Sequence, residues 1–230
     1  MICVQARSTS TRLPGKCLEM IDTKTMTEHV LDACHNTAKY INKNTHKHGL
    51  NAFVVLLVPV GDSLADHFND EIIFEGPEHD VLSRFMLAVN EYHPNYVVRL
   101  TADCPLMSPP LITKHIMCAS KDGLDYCSNV DDDFRTFIDG WDVEVMSLEM
   151  MCWLDKNATT DYDREHVTPL ARKAPPRWAQ IGAVLSAIDF SDVKLSVDTA
   201  EELERVRLNR KSVNAKINRA EQRGLNVYKF

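Results

Sequence analysis

Residues 2–16 read ICVQARSTSTRLPGK, and the fold turns on how this stretch divides. Ile2–Gln5 is a short apolar run of strand type. Ala6–Lys16 is its opposite, with three cations (Arg7, Arg12, Lys16), four hydroxyl residues and a Pro14-Gly15 turn. A strand that opens directly into such a loop presents it at the strand's carboxyl end, where open α/β sheets bind ligands. Cations spread through a loop can surround a polyphosphate, while hydroxyl and backbone N–H groups donate to its oxygens. Arg7, Arg12 and Lys16 are therefore candidate phosphate ligands, with Ala6 and Ser10 beside them. The alternative is a solvated polar loop, since basic Ser/Thr loops are common. The stretch contains neither G-x-x-x-x-G-K-[ST] nor G-x-G-x-x-G.

Outward from this loop the chain alternates β-type runs with helical segments. Strands are expected at Phe53–Val58, Ile72–Phe74, Tyr96–Leu100, Asp125–Ser128, Asp142–Met146, Trp178–Leu185 and Lys194–Val197. Helices are expected at Thr27–Thr37, Asp62–Asn69, Asp80–Tyr92, Leu111–Ser120, Ser147–Asp155 and Arg164–Lys173, and from Thr199 to about residue 210. Repeated strand–helix order predicts an α/β domain with a mainly parallel sheet. The loops after Gln5, Phe74 and Leu100 are then the first places to look for a site.

Charge separates these loops. The chain has 33 Asp+Glu against 26 Lys+Arg, a net charge of −7 that argues against long nucleic acids as partners. Seven acids between Asp62 and Asp80, with no Lys or Arg among them, equal that whole excess, whereas the first twenty residues set Arg7, Arg12 and Lys16 against Glu19 alone. The longest apolar run, Ala52–Val60, is far below the roughly 18 residues of a membrane span. No signal peptide is visible, and the seven Cys include no C-x-x-C, so a cytoplasmic protein with reduced thiols and no zinc site is expected.

Asp103 ends an apolar strand, and Asp198 follows Leu195–Val197 just before a helix. Mg²⁺ takes one or two carboxylates plus substrate phosphates, which two such aspartates suit. Asp198 has a second reading as a helix N-cap. Asp131-Asp132-Asp133 has the form of a glycosyltransferase metal motif but lies in a long polar connection, where a solvated loop is the simpler reading. Asp142 and Glu144 share one strand face near Asp139, read most simply as exposed. Arg164 can pair with a carboxylate or phosphate and His166 can donate to one; the alternative is a helix-start ion pair.

The pattern A-R-x-x-S-T-R-L-P-G-K over Ala6–Lys16 resembles the opening of the cytidylyltransferases that activate sugars as CMP derivatives. The likeness is greatest to the spore coat polysaccharide biosynthesis type, and less to the 3-deoxy-manno-octulosonate and acylneuraminate enzymes. Glu78–Phe85 (EHDVLSRF), Val97–Leu106 (VVRLTADCPL), Ser128-Asn129, Asp139–Val145 (DGWDVEV), Arg164–Pro169 (REHVTP) and Val197–Arg207 (VDTAEELERVR) follow in the family's order. The resemblance thus spans nearly all of residues 1–208. It implies a Rossmann-like three-layer α/β/α nucleotide-diphospho-sugar transferase fold. The implied reaction joins CTP and a sugar, a keto-sugar acid, into CMP-sugar and pyrophosphate. By the same likeness Arg7, Lys16 and Asp103 are catalytic, and Ala6, Arg7, Ser10, Arg12, Lys16, Gly76 and Asp80 hold the nucleotide. Asp139, Asp142, Glu144, Arg164 and His166 face the sugar, and Asp103 and Asp198 hold Mg²⁺. Ala102 and Trp141 depart from the family pattern, and Trp141 is expected to reshape the acceptor pocket.

Residues 1–208 are expected to form the nucleotidyltransferase domain, with acceptor or oligomerisation elements inserted around 125–185. Residues 209–230 are expected to be a basic helical tail, solvated or alternatively the contact of a homodimer. On the residues alone, a glycosyltransferase that consumes a nucleotide sugar and a non-catalytic nucleotide-binding protein also stay open.

Overall fold

The computed structural model describes residues 1–131, 133, 135–208 and 210, together with the backbone of 225–229. Its main sheet is built from β1 (Ile2–Gln5), β4 (Val54–Pro59), β5 (Ile73–Gly76), β6 (Tyr96–Thr101), β7 (Tyr126–Ser128), β8 (Glu144–Ser147), β9 (Ile181–Ser186) and β10 (Leu225–Lys229). A two-stranded hairpin, β2 (Met20–Ile21) and β3 (Lys24–Thr25), stands beside it. The strand order is β10-β9-β7-β8-β6-β1-β4-β5. Pairs β1–β4, β1–β6, β4–β5 and β7–β9 are parallel, whereas β8 runs antiparallel between β6 and β7.

Helices cover both faces, as a parallel sheet requires. Side chains of Ile2, Val4, Leu56, Val98 and Leu100 enter the core shared with α1 (Met26–Lys43) and α5 (Pro109–Asp122). Their neighbours Cys3, Val55, Leu57 and Val97 enter the opposite core, shared with α4 (Val81–Tyr92) and α6 (Leu148–Asn157). Short helices α2 (Thr45–His48), α3 (Ser63–His67), α7 (Asp161–His166) and α8 (Pro169–Lys173) fill the connections. The α/β/α layering expected from the sequence is the architecture found.

Three elements differ from expectation. The helix expected over Arg164–Lys173 is broken in two. Val167 adopts φ 69 and ψ −54, and the N–H of Thr168 donates to the carbonyl of His166 at 2.8 Å, forming a γ-turn. Pro169 then starts α8 at a position that needs no N–H donor. Lys194–Val197 is not a strand but a single parallel bridge from Lys194 to Asp139. Finally, the tail expected to be helical contributes the strand Leu225–Lys229, antiparallel to β9; residues 211–224 lie outside the described residues.

Candidate functional site

The loops at the carboxyl ends of β1 and β6 border a cavity of ≈ 280 Å³. Its wall includes Ala6, Arg7, Ser10, Arg12, Lys16, Asp103, His166 and Asp198 from the sequence-predicted set, and Gln5, Arg84, Arg99 and Glu165 from outside it.

The basic loop is folded on itself. The N–H groups of Ser10 and Gly15 both donate to the carbonyl of Ser8, and Ser10 Oγ accepts from the N–H of Leu13 at 3.4 Å. The loop is also tied to the acidic segment. Asp62 caps α3 through Oδ1, at 3.0 Å from the N–H of Leu64, while its Oδ2 accepts from the N–H of Ser8 at 2.8 Å. Buried Arg84 donates from beneath to the carbonyls of Ala6 (3.3 Å), Leu57 (3.4 Å) and Glu78 (3.3 Å). Burial, with Arg7 nearby, pulls the Arg84 pKa down to about 10.

Lys16 is the centre of the arrangement. Its Nζ donates to Asp103 Oδ2 (3.2 Å), Asp198 Oδ1 (3.0 Å) and the carbonyl of Val197 (2.9 Å). Burial alone would lower the Lys16 pKa, but Asp103 and Asp198 outweigh it and hold the ammonium above its ordinary value. Arg12 reaches the same Asp198 Oδ1 at 2.9 Å, and Lys194 reaches Oδ2 at 3.3 Å. Together these cations outweigh the burial of Asp198 and depress its pKa.

Asp198 is free for this role because it is not the helix cap. Thr199 and Glu202 form a reciprocal capping box, Thr199 Oγ1 accepting from the N–H of Glu202 at 3.3 Å and Glu202 Oε2 from that of Thr199 at 3.0 Å. The backbones carrying the two aspartates are joined by the N–H of Val197 donating to the carbonyl of Asp103 at 2.9 Å. Residues 193–196 are in turn fixed by Asp139, whose N–H donates to Val193 and whose carbonyl accepts from Leu195 and Ser196. Gly140 makes that approach feasible, since a Cβ there would stand 2.5 Å from the nitrogen of Ser196, at φ +109.

Asp103 and Asp198 fit a divalent ion. Their donors are hard carboxylate oxygens, and an ammonium already bridges them. Among the described residues no group of three or more His, Cys, Asp or Glu is placed to hold a metal ion.

Several predicted residues serve the frame instead of lining the cavity. Asp80 caps α4 through the N–H of Ser83 at 2.9 Å, and Arg164 donates to Asp80 Oδ1 (2.9 Å), Ser83 Oγ (2.7 Å) and Asp155 Oδ1 (3.1 Å). Arg164 thus forms ion pairs, but from the last turn of α7 and not at a helix start. Gly76 packs under α4, where a Cβ would lie 2.8 Å from Arg84 Cγ. Glu144 is 1% exposed, not on an exposed face, and its carboxylate pairs with Arg99. Asp142 pairs with Arg135 at 2.5 Å, yet burial still pushes its pKa up to about 6. Trp141 is core, packed against Phe137, rather than cavity wall. The residues missed had a signal. Arg84 sits in the apolar stripe of α4 and Arg99 in the apolar run YVVRLT, and a cation buried in such a run demands partners.

A family model described as cytidylyltransferase matches residues 1–44 and 61–228. An uncharacterised protein of Methanocaldococcus jannaschii is 33% identical over 175 residues; the match spans 75% of this chain and 66% of that relative, just short of two thirds of its length. The spore coat polysaccharide biosynthesis protein SpsF of Bacillus subtilis is 24% identical over 216 residues, 90% of this chain and 84% of that one. Among solved structures, a cytidylyltransferase from Leptospira borgpetersenii superposes with TM-score 0.74 at 26% identity, covering 90% of this chain and 84% of that one. A CMP:2-keto-3-deoxy-manno-octonic acid synthetase complexed with CTP gives 0.63 at 15% identity, covering 92% and 98%. Rv0371c of Mycobacterium tuberculosis, in complex with manganese, gives 0.56 at 16%, covering 89% and 95%. Both of the last two are likenesses of fold. Among the described residues no helix is long and apolar enough to cross a membrane.

Proposed function

The chain belongs to the cytidylyltransferase family, and from that premise we propose that it transfers CMP from CTP to a hydroxyl of a sugar acid, releasing pyrophosphate. The observation that carries this reading is the convergence on Lys16. A cationic loop and two carboxylates from three distant segments meet at one cavity. In the reaction the sugar hydroxyl attacks the α-phosphorus in line, a new P–O bond forms, the bond to the β-phosphate breaks, and the hydroxyl proton is released to water. Such a step is mostly positioning and charge neutralisation. Arg7, Arg12 and Lys16 bind the triphosphate and neutralise the leaving pyrophosphate. Ser10 donates to phosphate, and the segment from Gly76 to Asp80 borders the base. Asp103 and Asp198 hold a divalent ion, Mg²⁺ in this reading. That ion supplies charge neutralisation at the phosphates when bound; the manganese in Rv0371c and the CTP in the octonic acid synthetase are consistent support from proteins of the same fold. The product serves surface polysaccharide synthesis, as the name of the spore coat relative suggests, and free CTP makes the cytoplasm the natural setting.

The test is pyrophosphate release. The protein is incubated with Mg²⁺, each of the four nucleoside triphosphates in turn and a panel of 2-keto sugar acids. Release with CTP that depends on an added acid is the expected result. No release with any pair, or release of UDP or GDP from a nucleotide sugar instead, overturns the reading.

A further inference from the structure

Arg99 belongs neither to the phosphate loop nor to the aspartate pair, yet its side chain reaches the cavity wall. It lies on β6, the neighbour of β1 on the side of β8, whereas the Gly76–Asp80 segment lies across β1 and β4 at the opposite edge. The phosphate loop therefore stands between the base side and Arg99, which puts Arg99 on the side left for the acceptor.

Its guanidinium is held in one orientation. Nε donates to Gln5 Oε1 at 3.0 Å and Nη1 donates to Glu144 Oε2. Among the described residues Nη2 has no hydrogen-bond partner. Glu144 itself cannot turn toward the cavity. It is buried, and its other oxygen accepts from the hydroxyl of Tyr126 at 2.5 Å. Burial would raise the Glu144 pKa, but Arg99 and Arg172 outweigh it and keep the carboxylate ionised. Of this pair, only Arg99 presents itself to a ligand. His166 stands nearby on the same wall. Burial depresses the pKa of His166, and Arg99, Arg172 and Arg7 add to that against the opposing Glu165. A planar fork with fixed orientation and an unused amino group recognises a carboxylate far better than a neutral hydroxyl.

We propose that Arg99 recognises the carboxylate of the acceptor, and that Glu144 is the positioning residue that aims it. This deepens the sugar-acid reading above and rests on it.

Pyruvate, the smallest 2-keto acid, is a probe that needs no knowledge of the full acceptor. It is titrated by calorimetry into the full-length protein, with and without Mg²⁺ and a non-hydrolysable CTP analogue, and methyl pyruvate is the uncharged control. Saturable pyruvate binding and no saturable methyl pyruvate binding are expected. Arg99→Met combined with Glu144→Gln removes both charges, so neither is left buried alone. This double variant is expected to lose pyruvate affinity at least 10-fold, as one charge-assisted contact is worth. Arg99→Lys and Glu144→Gln singly lose several-fold, while affinity for the CTP analogue stays within about twofold throughout. That split is one a merely structural role for Glu144 does not produce. Equal pyruvate binding in the double variant, equal binding of methyl pyruvate, no saturable pyruvate binding to the wild type, or a parallel loss of CTP affinity overturns the proposal. Failure of the function itself shows separately, as absent binding of the CTP analogue.

Discussion

On one wall of the cavity Lys16 and Asp198, 182 positions apart, meet through partly exposed side chains on loops. On the other, Arg99 lines the cavity and meets buried Glu144 behind it on the adjacent strand, in the register Arg99↔Glu144. The difference lies in what each charge can do when a ligand arrives. Arg12 and Lys16 share Asp198 with Lys194, so a triphosphate offers them new acceptors and a metal ion offers the aspartate a new partner. Glu144 has no such exchange, because it is sealed between Arg99 and Tyr126. One wall is built to rearrange and the other to hold still. Each prediction below breaks one wall and leaves the other standing.

The largest effect is expected from Asp103→Asn. The side chain is partly exposed, so the fold tolerates the change. Turnover falls on the order of 10³-fold, because neutralisation of a transferring phosphate is worth several kcal/mol. Pyrophosphate release measures the first effect and a urea melt the second. Full activity in this variant removes the metal assignment.

The opposite wall responds in stability. Glu144→Ala leaves Arg99 without its buried counter-charge, and breaking such a pair costs about 3–5 kcal/mol. The urea midpoint falls, whereas Arg99→Met with Glu144→Gln restores most of it. The pH dependence follows from the depressed Glu144 pKa. A carboxylate whose folded pKa lies below its unfolded value contributes stability above the unfolded pKa, and that stability is lost as pH falls through the folded one. The wild type therefore shows an acid limb below about pH 4.5 that is shallower in the double variant.

How much of this was legible in the sequence follows the same division. The first wall is made of charged residues that follow apolar runs, a local signal, and Arg12, Lys16, Asp103 and Asp198 all reach the cavity. On the fixed wall, strand alternation predicts an exposed face for Glu144, and the residue is buried. Alternation marks which side of a strand a residue takes, but not whether a second layer covers that side. Here α6 and α8 and the core around Tyr126 cover it. Lys194–Val197 failed as a strand for a related reason. Its apolar residues are buried by docking on Asp139 across Gly140, a long-range contact with no local period.

Gly140→Ala probes the joint between the walls. A Cβ at that position meets the backbone of Leu195 and Ser196 and must also adopt positive φ. Overpacking against backbone costs about 1–3 kcal/mol. The segment 193–198 shifts with it, so metal affinity measured with Mn²⁺ and CTP falls while pyruvate binding at Arg99 is unchanged. Loss of both together means that the two walls are one rigid unit.

Lys16→Met gives the smallest change and bears most directly on the comparison. The Lys16 ammonium accounts for three contacts, to Asp103, Asp198 and the carbonyl of Val197, at 2.9–3.2 Å. In the proposed site a divalent ion would compete with the ammonium for Asp103 Oδ2 and Asp198 Oδ1. Under the proposed function the triphosphate would draw Lys16 away and relieve that competition. Met keeps the half-buried stem packed and removes only the charge. In the absence of nucleotide the variant is expected to bind Mn²⁺ about tenfold more tightly than the wild type, a difference of about 1.4 kcal/mol, read by electron paramagnetic resonance of the free ion. Its affinity for CTP without metal falls. The wild type closes the Mn²⁺ gap only when CTP is added. Unchanged Mn²⁺ affinity in Lys16→Met would mean that the ammonium does not stand in the metal's place, and the wall described here as ready to rearrange would be as fixed as the other.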